Sequence, residues 1–300
     1  MPLPLSTSPE VAQAQANGEP IVALESTLIA HGLPRPDNLA VAREIEQIVR
    51  QYGATPATIA VLDGTVHIGL DDTGLRRIAC DDAIPKLGIR DLAVALASGG
   101  SGATTVSSTA LLAIKAGIAV FATGGLGGVH RGGGYDESAD LAALAGTPIL
   151  VVCAGVKSIL DIEATLERLE SLSVTVLGYR TNRFPGFYLT DSGFPLDWRI
   201  EEAHQAAAVF RTRTDLQAGA VVVANPLPPD EQLDPGLQDR VLAAALAAAA
   251  ADGITGKAVT PYLLDSLHRA TGGESLRANV TIIQRNAELA ARIAGALAAG

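Results

Sequence analysis

Hydrophobic residues occur along this chain in short unbroken runs that alternate with longer stretches of helical spacing. The runs Ile21–Leu24, Ile149–Cys153 and Gly219–Ala224 predict buried strands. Between such runs, apolar residues three or four positions apart predict amphipathic helices, as from Asp37 to about Gly53. Because strands and helices alternate, the pattern predicts an α/β protein with a three-layer α/β/α fold and a mostly parallel central sheet.

The same pattern predicts the remaining elements. Further strands are predicted at Ala57–Leu62, Val66–Ile68, Leu92–Ala97, Ile118–Ala122 and Val174–Leu177. Further helices are predicted at Asp71–Cys80, Asp140–Ala145, Val156–Leu172, Ile200–Gln217, Leu237–Ala251, Pro261–Ala270 and Glu274–Ala299. The dipeptide Asp63-Gly64 predicts a hairpin between two of the strands. Ser138 is predicted to cap one helix, and Asp37 or Asn38 another.

Two segments depart from this alternation. Residues Met1–Pro20 are rich in Pro, Ser and Ala and predict a partly ordered lead-in. The predicted division is therefore a lead-in over residues 1–18 and a single α/β/α domain over 19–300. Residues Thr181–Trp198 combine Gly, Pro and aromatic residues and predict a lid or an inter-subunit loop.

Composition and charge narrow the class of protein. Of 300 residues, 48% are hydrophobic and only 4% aromatic, so the core must be aliphatic. The net charge of -10 argues against nucleic acid and anionic membranes as partners, but leaves a small anion possible. Cys80 and Cys153 fit neither a disulfide framework nor a metal site, and Cys153 is predicted to be buried. Neither a secretory signal nor a run of 18 apolar residues is found, which predicts a soluble, cytoplasmic protein.

Polar or glycine-rich residues follow five of the predicted strands. These strand ends are Glu25-Ser26-Thr27, Ser98–Thr105, Thr123–Asp140, Gly155-Val156-Lys157 and Asn225. Ligands of open α/β sheets bind beyond the carboxyl ends of the strands, so these segments are expected to converge. The convergence predicts an enzyme or a tight binder of a small molecule.

Lys157 and Glu25 are the residues at these strand ends that could carry acid, base or covalent chemistry. Lys157 is predicted to open a helix directly after an apolar strand, where partial burial and the helix N-terminus favour the neutral amine that Schiff-base formation needs. Glu25 could act as a general acid. A surface lysine beside a helix and a carboxylate that caps a turn are the structural alternatives.

The Gly-rich segment Gly99–Thr105 could bind a phosphate. Glycines leave backbone N–H groups accessible, and the following helix offers its positive end to an anion. Thr104 and Thr105 would add hydroxyl groups, and Lys86 could be a second phosphate contact. A tight turn with a capped helix and a solvated lysine are equally compatible with these residues, because glycine-rich turns are common.

Residues that could hold a metal follow a second glycine cluster. Asp136, Glu137 and Asp140 could bind a hard divalent cation through oxygen, or form a solvated acidic loop that precedes a helix. His130 lies nearby and is either a site residue or a structural histidine.

Several long motifs in this sequence resemble one known family. In chain order they are ALESTLIAHGLPRPDN, GATTVSST, FATGGLGGVHRG, SADL, VVCAGVKSILD, VVVANPLP and TGGESLRANV. Together they resemble the pseudouridine-5′-phosphate glycosidases, the family of indigoidine synthase A-like proteins, from about Glu19 to the C-terminus. The resemblance implies reversible cleavage of the C–C bond between uracil and ribose 5-phosphate by an α/β/α homotrimer that needs a divalent cation, commonly Mn²⁺.

The resemblance also implies roles for particular residues. Lys157 is similar to the family's covalent nucleophile, Glu25 to its proton donor and Asp136 to its metal ligand. Substrate positions are implied for Lys86, Thr105, Val106, His130, Ser138, Ala139, Asp140 and Asn279. A lysine iminium would let the C1′–C5 bond break while the acid protonates C5, because a C-glycoside has no leaving oxygen to protonate.

The sequence departs from the family pattern at two places. The loop between His130 and Asp136 is shortened and glycine-rich through Gly132–Tyr135, which makes Asp140 the alternative metal ligand, and Ser101 replaces the usual Asn or Lys before GATTV. Three other functions remain open at this point. They are action on another C- or N-ribosyl phosphate, a sugar-kinase-like nucleotide binder, and a non-catalytic phosphosugar sensor.

Overall fold

The protein contains one large mixed sheet with helices on both faces. The structure is a computed structural model that describes residues 3–132, 135–254 and 259–300. Nine strands pair in the order β1-β4-β3-β2-β7-β8-β11-β9-β10, and β5 and β6 branch from β3. Among the strands in these described ranges, only the pairs β3–β4 and β3–β6 are antiparallel. The predicted α/β/α class with a mostly parallel sheet is confirmed.

The strands are β1 Leu5–Thr7, β2 Ile21–Glu25, β3 Thr55–Leu62, β4 Thr65–Ile68, β5 Lys86–Leu87, β6 Gly102–Thr104, β7 Val120–Ala122, β8 Leu150–Cys153, β9 Thr175–Tyr179, β10 Arg199–Ile200 and β11 Val221–Ala224. The helices are α1 Pro9–Asn17, α2 Asp37–Gln51, α3 Asp72–Cys80, α4 Leu92–Ala97, α5 Val106–Lys115, α6 Ala139–Gly146, α7 Ile162–Ser171, α8 Ala203–Asp215, α9 Pro235–Ala251, α10 Val259–Ala270 and α11 Glu274–Ala298. A π-helical turn covers Leu28–Gly32.

Aliphatic side chains alternate between the two faces of the central strands and create two separate cores. In β8, Val151 and Cys153 belong to the core beneath α5 and α6, whereas Leu150 and Val152 belong to the core beneath α2, α8 and α11. Because both faces are covered, β7, β8 and β11 have no polar positions, which explains their unbroken apolar runs. Burial raises the pKa of the Cys153 thiol to about 12, so this side chain is a small hydrophobic residue, as predicted.

Several local predictions are confirmed. Asp63 and Gly64 have φ angles of 51° and 73° and join β3 to β4 in the predicted hairpin. The Ser138 side chain accepts a hydrogen bond from the Asp140 backbone N–H and caps α6. The predicted cap of α2 is wrong, because Pro36 occupies the N-cap and the Asn38 side chain bonds the carbonyl groups of Ile29 and Ala79 instead.

Leu92–Ala97 is a helix and not the buried strand that its apolar run predicts. Leucine and alanine favour helices, and a six-residue apolar run cannot distinguish the two states by periodicity. The next strand in the chain after this helix is β6, Gly102–Thr104. Lys86 lies in β5 and not in the predicted loop.

The N-terminal segment is more regular than predicted. Leu5–Thr7 pairs with β4, and α1 buries Val11 and Ala14 against the sheet, so a partly ordered lead-in is wrong for these residues. Met1 and Pro2 lie outside the described residues, as do Gly133 and Gly134 of the shortened loop.

The aromatic segment Thr181–Trp198 contributes to the core. Phe184, Phe187 and Tyr188 are buried and pack in a third cluster with α9, α10 and α11. Phe187 and Tyr188 contact each other edge to face, with ring centroids 4.6 Å apart. The segment therefore packs against the core and is not a free lid. None of the described helices is long and apolar enough to cross a membrane.

Candidate active site

Four neighbouring parallel strands carry the polar residues of the candidate site at their carboxyl ends. In sheet order the strands are β2, β7, β8 and β11, and they end at or just before Glu25, Thr123, Gly155 and Asn225. These residues are far apart in the sequence and adjacent in the sheet, as the analysis of strand ends predicts.

Lys157 lies in the loop between β8 and α7. Gly155 has a φ of +86°, and a Cβ at this position would lie 2.5 Å from the Pro185 carbonyl oxygen, so only glycine fits the turn. The Lys157 backbone N–H then donates to the Leu126 carbonyl group at 3.1 Å. The prediction that Lys157 opens a helix is wrong, because α7 begins at Ile162 after the Asp161 cap. The lysine is positioned by a turn and a backbone contact.

Glu25 is the last residue of β2 and is 6% exposed. The Thr123 hydroxyl donates a hydrogen bond to Glu25 Oε1. Burial raises the pKa of Glu25 above the ordinary glutamate value, and the charge of Lys157 and the Thr123 hydrogen bond oppose this shift only in part. A carboxyl group with a raised pKa and a lysine close by is suited to act as a proton donor.

A series of buried hydrogen bonds holds Thr123, the residue that bonds Glu25. Asn286, on α11, is fully buried and donates from Nδ2 to the Thr123 carbonyl oxygen at 2.8 Å. Asn225 Nδ2 donates in turn to Asn286 Oδ1 at 3.0 Å. Asn225 is thus at the predicted edge of the sheet but acts through Asn286 and Thr123, which hold the end of β7 beside Glu25.

Asp140 is buried at the start of α6 and joins the first turn of α5 to the Gly127 loop. Its Oδ1 accepts from the Ser107 backbone N–H and its Oδ2 from the Gly127 backbone N–H, both at 2.9 Å. A Cβ on Gly127 would lie 2.6 Å from Asp140 Oδ2, so the glycine permits this close approach. Each oxygen already accepts a backbone N–H, so a metal ion at Asp140 would have to bind the remaining lone pairs of these oxygens.

The site consists of two connected chambers. The outer chamber has a volume of about 380 Å³, and the inner chamber about 40 Å³. Both are lined by Glu25, Thr27, Lys86 and Lys157, which therefore lie where the chambers meet. The structure brings together the predicted nucleophile, the predicted acid and the predicted phosphate contact.

Two helix N-termini face the outer chamber. Thr105, Val106 and Ser107 line it at the start of α5, and Ser138 to Asp140 line it at the start of α6. Lys86 and Arg90 add positive charge on the same side. Converging helix N-termini and cationic side chains form a favourable environment for a phosphate group.

The glycines predicted to cradle phosphate lie elsewhere. The Gly100 carbonyl oxygen accepts from the Gly64 N–H, and Ser101 Oγ accepts from the Asp63 N–H, so this turn packs on the β3–β4 hairpin. Of the predicted segment Gly99–Thr105, only Thr105 reaches the chamber. The glycine part of that prediction is wrong because the glycines pack on the β3–β4 hairpin. The strand β6 runs antiparallel to β3, so the chain reaches the chamber only after this strand, at Thr105.

His130 and Asp136 lie at the rim of the outer chamber. The His130 N–H donates to the Asp136 carbonyl oxygen at 2.9 Å, and the Asp136 side chain is exposed. Glu137 forms a two-point contact with Arg168, at 2.8 and 3.0 Å. Within the described residues, no group of three potential ligands could hold a metal. Asp136 alone fits a hydrated cation that takes most of its ligands from water and substrate.

The inner chamber is mainly apolar and contains few polar atoms. Leu28, Phe187 and Leu264 line it with Gly124 and Gly125. Asn279, predicted as a substrate residue, lies here and not in the outer chamber. His31 and Phe187 also line the inner chamber, and Thr123 bonds Glu25 in its wall. The sequence analysis assigned no functional role to any of these three residues. His31 lies within the ALESTLIAHG motif, which is the signal that could have identified it.

Comparison with protein families and named proteins gives consistent matches over almost the whole chain. The family model described as indigoidine synthase A like protein matches residues 10–296. A pseudouridine-5′-phosphate glycosidase of Salinispora tropica is 61% identical over 294 residues, which cover 97% of this chain and 91% of that protein. A protein of the same name from Frankia alni is 60% identical over 295 residues, covering 97% of this chain and 82% of that protein.

Two solved structures are similar across the full fold. The prealnumycin C-glycosynthase AlnA, in complex with ribulose 5-phosphate, superposes with a TM-score of 0.91 at 39% identity and covers 98% of this chain and 97% of its own. An indigoidine synthase A-like protein from Thermotoga maritima has a TM-score of 0.90 at 33% identity, with 99% and 97% covered.

Proposed function

The chain belongs to the indigoidine synthase A-like family, and we propose that it cleaves the C–C glycosidic bond of pseudouridine 5′-phosphate reversibly, giving uracil and ribose 5-phosphate. The observation that carries the proposal is the position of Lys157, Glu25 and Lys86 where the two chambers meet. A substrate that spans both chambers would present its C1′–C5 bond to the lysine and the acid, with phosphate on one side and base on the other.

Lys157 is proposed as the nucleophile. Its amine attacks C1′ while the ring oxygen O4′ leaves and takes a proton, which opens the sugar and forms a C1′–N bond. The nitrogen lone pair then forms the C1′=N iminium as the electron pair of the C1′–C5 bond moves to C5. Water adds to the iminium, and release of the amine gives the sugar aldehyde. One water is consumed for each bond cleaved.

Glu25 is proposed as the acid that delivers a proton to uracil C5 as the C–C bond breaks. Its burial raises its pKa, which keeps more of the carboxyl group protonated at a given pH. After the transfer, the nearby charge of Lys157 or Lys86 would stabilise the carboxylate. The Thr123 hydrogen bond keeps the carboxyl group in one orientation.

The outer chamber is proposed to bind the 5-phosphate. The N-termini of α5 and α6, with Thr105, Val106, Ser138 and Ala139 at their first turns, supply backbone N–H groups and helix dipoles. Lys86 adds a charge at the junction of the chambers. Asp140 acts indirectly in this proposal, because its two backbone hydrogen bonds join the start of α5 to the Gly127 loop.

A divalent cation, Mn²⁺ in the family resemblance, is proposed at Asp136 with His130 at its side. The cation would neutralise charge on the substrate at the rim of the outer chamber. An Asp136→Asn variant should require a higher Mn²⁺ concentration for half-maximal turnover, whereas turnover that is unaffected by both chelation and this substitution would remove the cation from the proposal. The homotrimer and the cytoplasmic location stay predictions.

A second candidate is C-ribosylation of a different acceptor, which the similarity to the prealnumycin C-glycosynthase favours. The chemistry at Lys157 would be the same, and only the occupant of the inner chamber would differ. The small size of the inner chamber favours a single-ring base over a larger aromatic acceptor.

The test is release of uracil from pseudouridine 5′-phosphate, with and without Mn²⁺, by the unchanged protein and by Lys157→Ala. We expect turnover by the unchanged protein and a loss of at least about a thousandfold in the variant. Borohydride reduction with ribose 5-phosphate should attach the sugar to the Lys157 peptide, as detected by mass spectrometry. Attachment at another lysine, or none, would remove Lys157 from its role.

A further inference from the structure

The Asn279 side chain presents an unused hydrogen-bond acceptor to the inner chamber. Asn279 is 5% exposed, and its Nδ2 donates to the Gly32 carbonyl oxygen at 3.2 Å. This hydrogen bond fixes the orientation of the amide, because only the nitrogen can donate to a carbonyl group. Among the described residues, the buried Oδ1 has no hydrogen-bond partner. Such an orphaned oxygen is costly unless a ligand satisfies it.

A second unused acceptor comes from His31. Burial and the charges of Lys86 and Arg35 lower the pKa of His31, which favours the neutral imidazole. The backbone of Ile84 opposes this shift only in part. The buried Nε2 has no hydrogen-bond partner in the described part of the chain. A neutral ring that carries its proton on Nδ1 has an acceptor lone pair at Nε2.

His31 and Asn279 both line the inner chamber, whose other walls include Leu28, Phe187 and Leu264. Both residues also border the adjoining chamber that contains His268. We propose that Asn279 Oδ1 and His31 Nε2 form an acceptor pair that selects a base carrying two free N–H groups. This inference deepens the proposed function and rests on it, since it concerns which base the site accepts. Neither atom is on Lys157 or Glu25, so the acceptor pair can be tested apart from the bond chemistry.

The acceptor pair distinguishes two isomeric classes of substrate. A uracil linked to ribose through C5 keeps both N1–H and N3–H, and free uracil carries the same two donors. A uracil linked through N1 has only N3–H and would leave one buried acceptor unsatisfied. A site built to accept a hydrogen bond discriminates strongly against a ligand that lacks the donor. The pair therefore selects C-linked over N-linked ribosyl uracil and retains the same contacts with the released base.

The first experiment compares three substrates on the unchanged protein: pseudouridine 5′-phosphate and its N1-methyl and N3-methyl derivatives. Each methylation removes one donor, and we expect each to lower kcat/KM by about 10- to 100-fold. Methyl derivatives cleaved within about twofold of the parent would overturn the proposal, because one lost hydrogen bond to a buried acceptor should exceed this.

The second experiment separates hydrogen bonding from the space that a methyl group occupies. His31→Phe and Asn279→Leu remove one acceptor each while keeping a similar volume. Each variant should lose most of the penalty for one methylation and retain the penalty for the other. His268→Phe is the matched control, because His268 also has an unpartnered buried nitrogen but lines an adjoining chamber and not the inner one. It should leave both penalties unchanged.

Borohydride trapping of ribose 5-phosphate on Lys157 shows whether each variant is folded and still reacts with the sugar phosphate. Both acceptor variants should trap the sugar at a rate within about threefold of the unchanged protein, since the base takes no part. If either variant lost both methylation penalties to the same extent, the assignment of one N–H group to each acceptor would be overturned. If the unchanged protein fails to cleave pseudouridine 5′-phosphate, the proposed function fails, and the pair is tested by binding of uracil against 1-methyluracil and 3-methyluracil. Equal affinities would then overturn the pair by itself.

Discussion

Two buried carboxylates at the same edge of the sheet, Glu25 and Asp140, have different surroundings. Both line the outer chamber and both are less than 10% exposed. Asp140 accepts one backbone N–H on each oxygen, at 2.9 Å in both cases. Glu25 accepts a single side-chain hydroxyl group, from Thr123, and lies close enough to Lys157 to interact with its charge.

The difference distinguishes a carboxylate that joins two segments from the carboxyl group that we propose as the acid. The hydrogen bonds of Asp140 come from backbone N–H groups of α5 and of the Gly127 loop, so its side chain connects these two segments. Glu25 has fewer donors, and burial raises its pKa, so its proton can be transferred. Burial alone therefore does not distinguish the two carboxylates, and the proposal of Glu25 as the acid depends on the number and kind of donors to each oxygen.

The largest effect is expected from Glu25→Gln. The amide keeps the size of the side chain but cannot deliver a proton, so kcat should fall by about 10²- to 10⁴-fold. Glu46→Gln is a matched control, because Glu46 is also buried with a raised pKa but bonds Thr58 outside both chambers. Steady-state kinetics of uracil release would measure both, and a similar loss in the control would assign the effect to general disturbance of the fold.

Asp140→Asn should act mainly on stability. An amide can accept from one backbone N–H but places its own donor against the other, so the free energy of unfolding should fall by about 2–3 kcal/mol. The KM for the phosphorylated substrate should also rise, because the start of α5 loses its support. Chemical denaturation measures the first effect. If stability is unchanged while kcat collapses, Asp140 and not Glu25 is the acid.

The pH dependence of stability gives a third way to separate the two carboxylates. The folded state holds the Glu25 proton more tightly than the unfolded chain, whose glutamate pKa is near 4.5. Its contribution to stability is fully present below that value and is lost as pH rises through the raised folded pKa. In that window, stability of the unchanged protein relative to Glu25→Gln should fall by at most about 1.4 kcal/mol per pH unit. A difference that is flat from pH 4 to 8 would contradict the raised pKa.

The smallest effect is expected from Thr123→Val, which removes the hydroxyl donor and keeps the shape of the side chain. The Thr123 hydrogen bond lowers the pKa of Glu25, so its loss should raise that pKa further. The alkaline limb of the pH–rate profile should move upward by about 0.5–1 pH unit, the equivalent of about 1 kcal/mol. Movement of the limb toward lower pH would show that the group that titrates is not Glu25.

Local sequence signals predicted most of the regular structure. The hairpin at Asp63-Gly64 follows from residues that tolerate positive φ, and the Ser138 cap from a hydroxyl group before a helix. The errors came where the local signal was ambiguous. The run Leu92–Ala97 is equally compatible with a buried strand and a helix, and the apolar residues before Ile162 continue the pattern of α7 without being helical.

The candidate residues were identified by motif and strand end, but their division into chambers was not. Asn279 was predicted as a substrate residue with no assigned subsite, and only the packing of α11 places it beside His31 in the inner chamber. Thr123 and Asn286 were not singled out, because a threonine after a strand or an asparagine in a helix gives no distinctive pattern by itself.

The sequence by itself determined the alternation of strands and helices, the aliphatic core and the chemical types gathered at the strand ends. These properties depend on hydrophobic spacing and on residues a few positions apart. Tertiary structure decided which strand ends are neighbours: the order β2-β7-β8-β11 brings Glu25, Thr123 and Lys157 together across more than 130 residues of sequence. It also decided which carboxylate is satisfied by backbone N–H groups, because those donors come from segments that only the packed sheet and its helices hold in place.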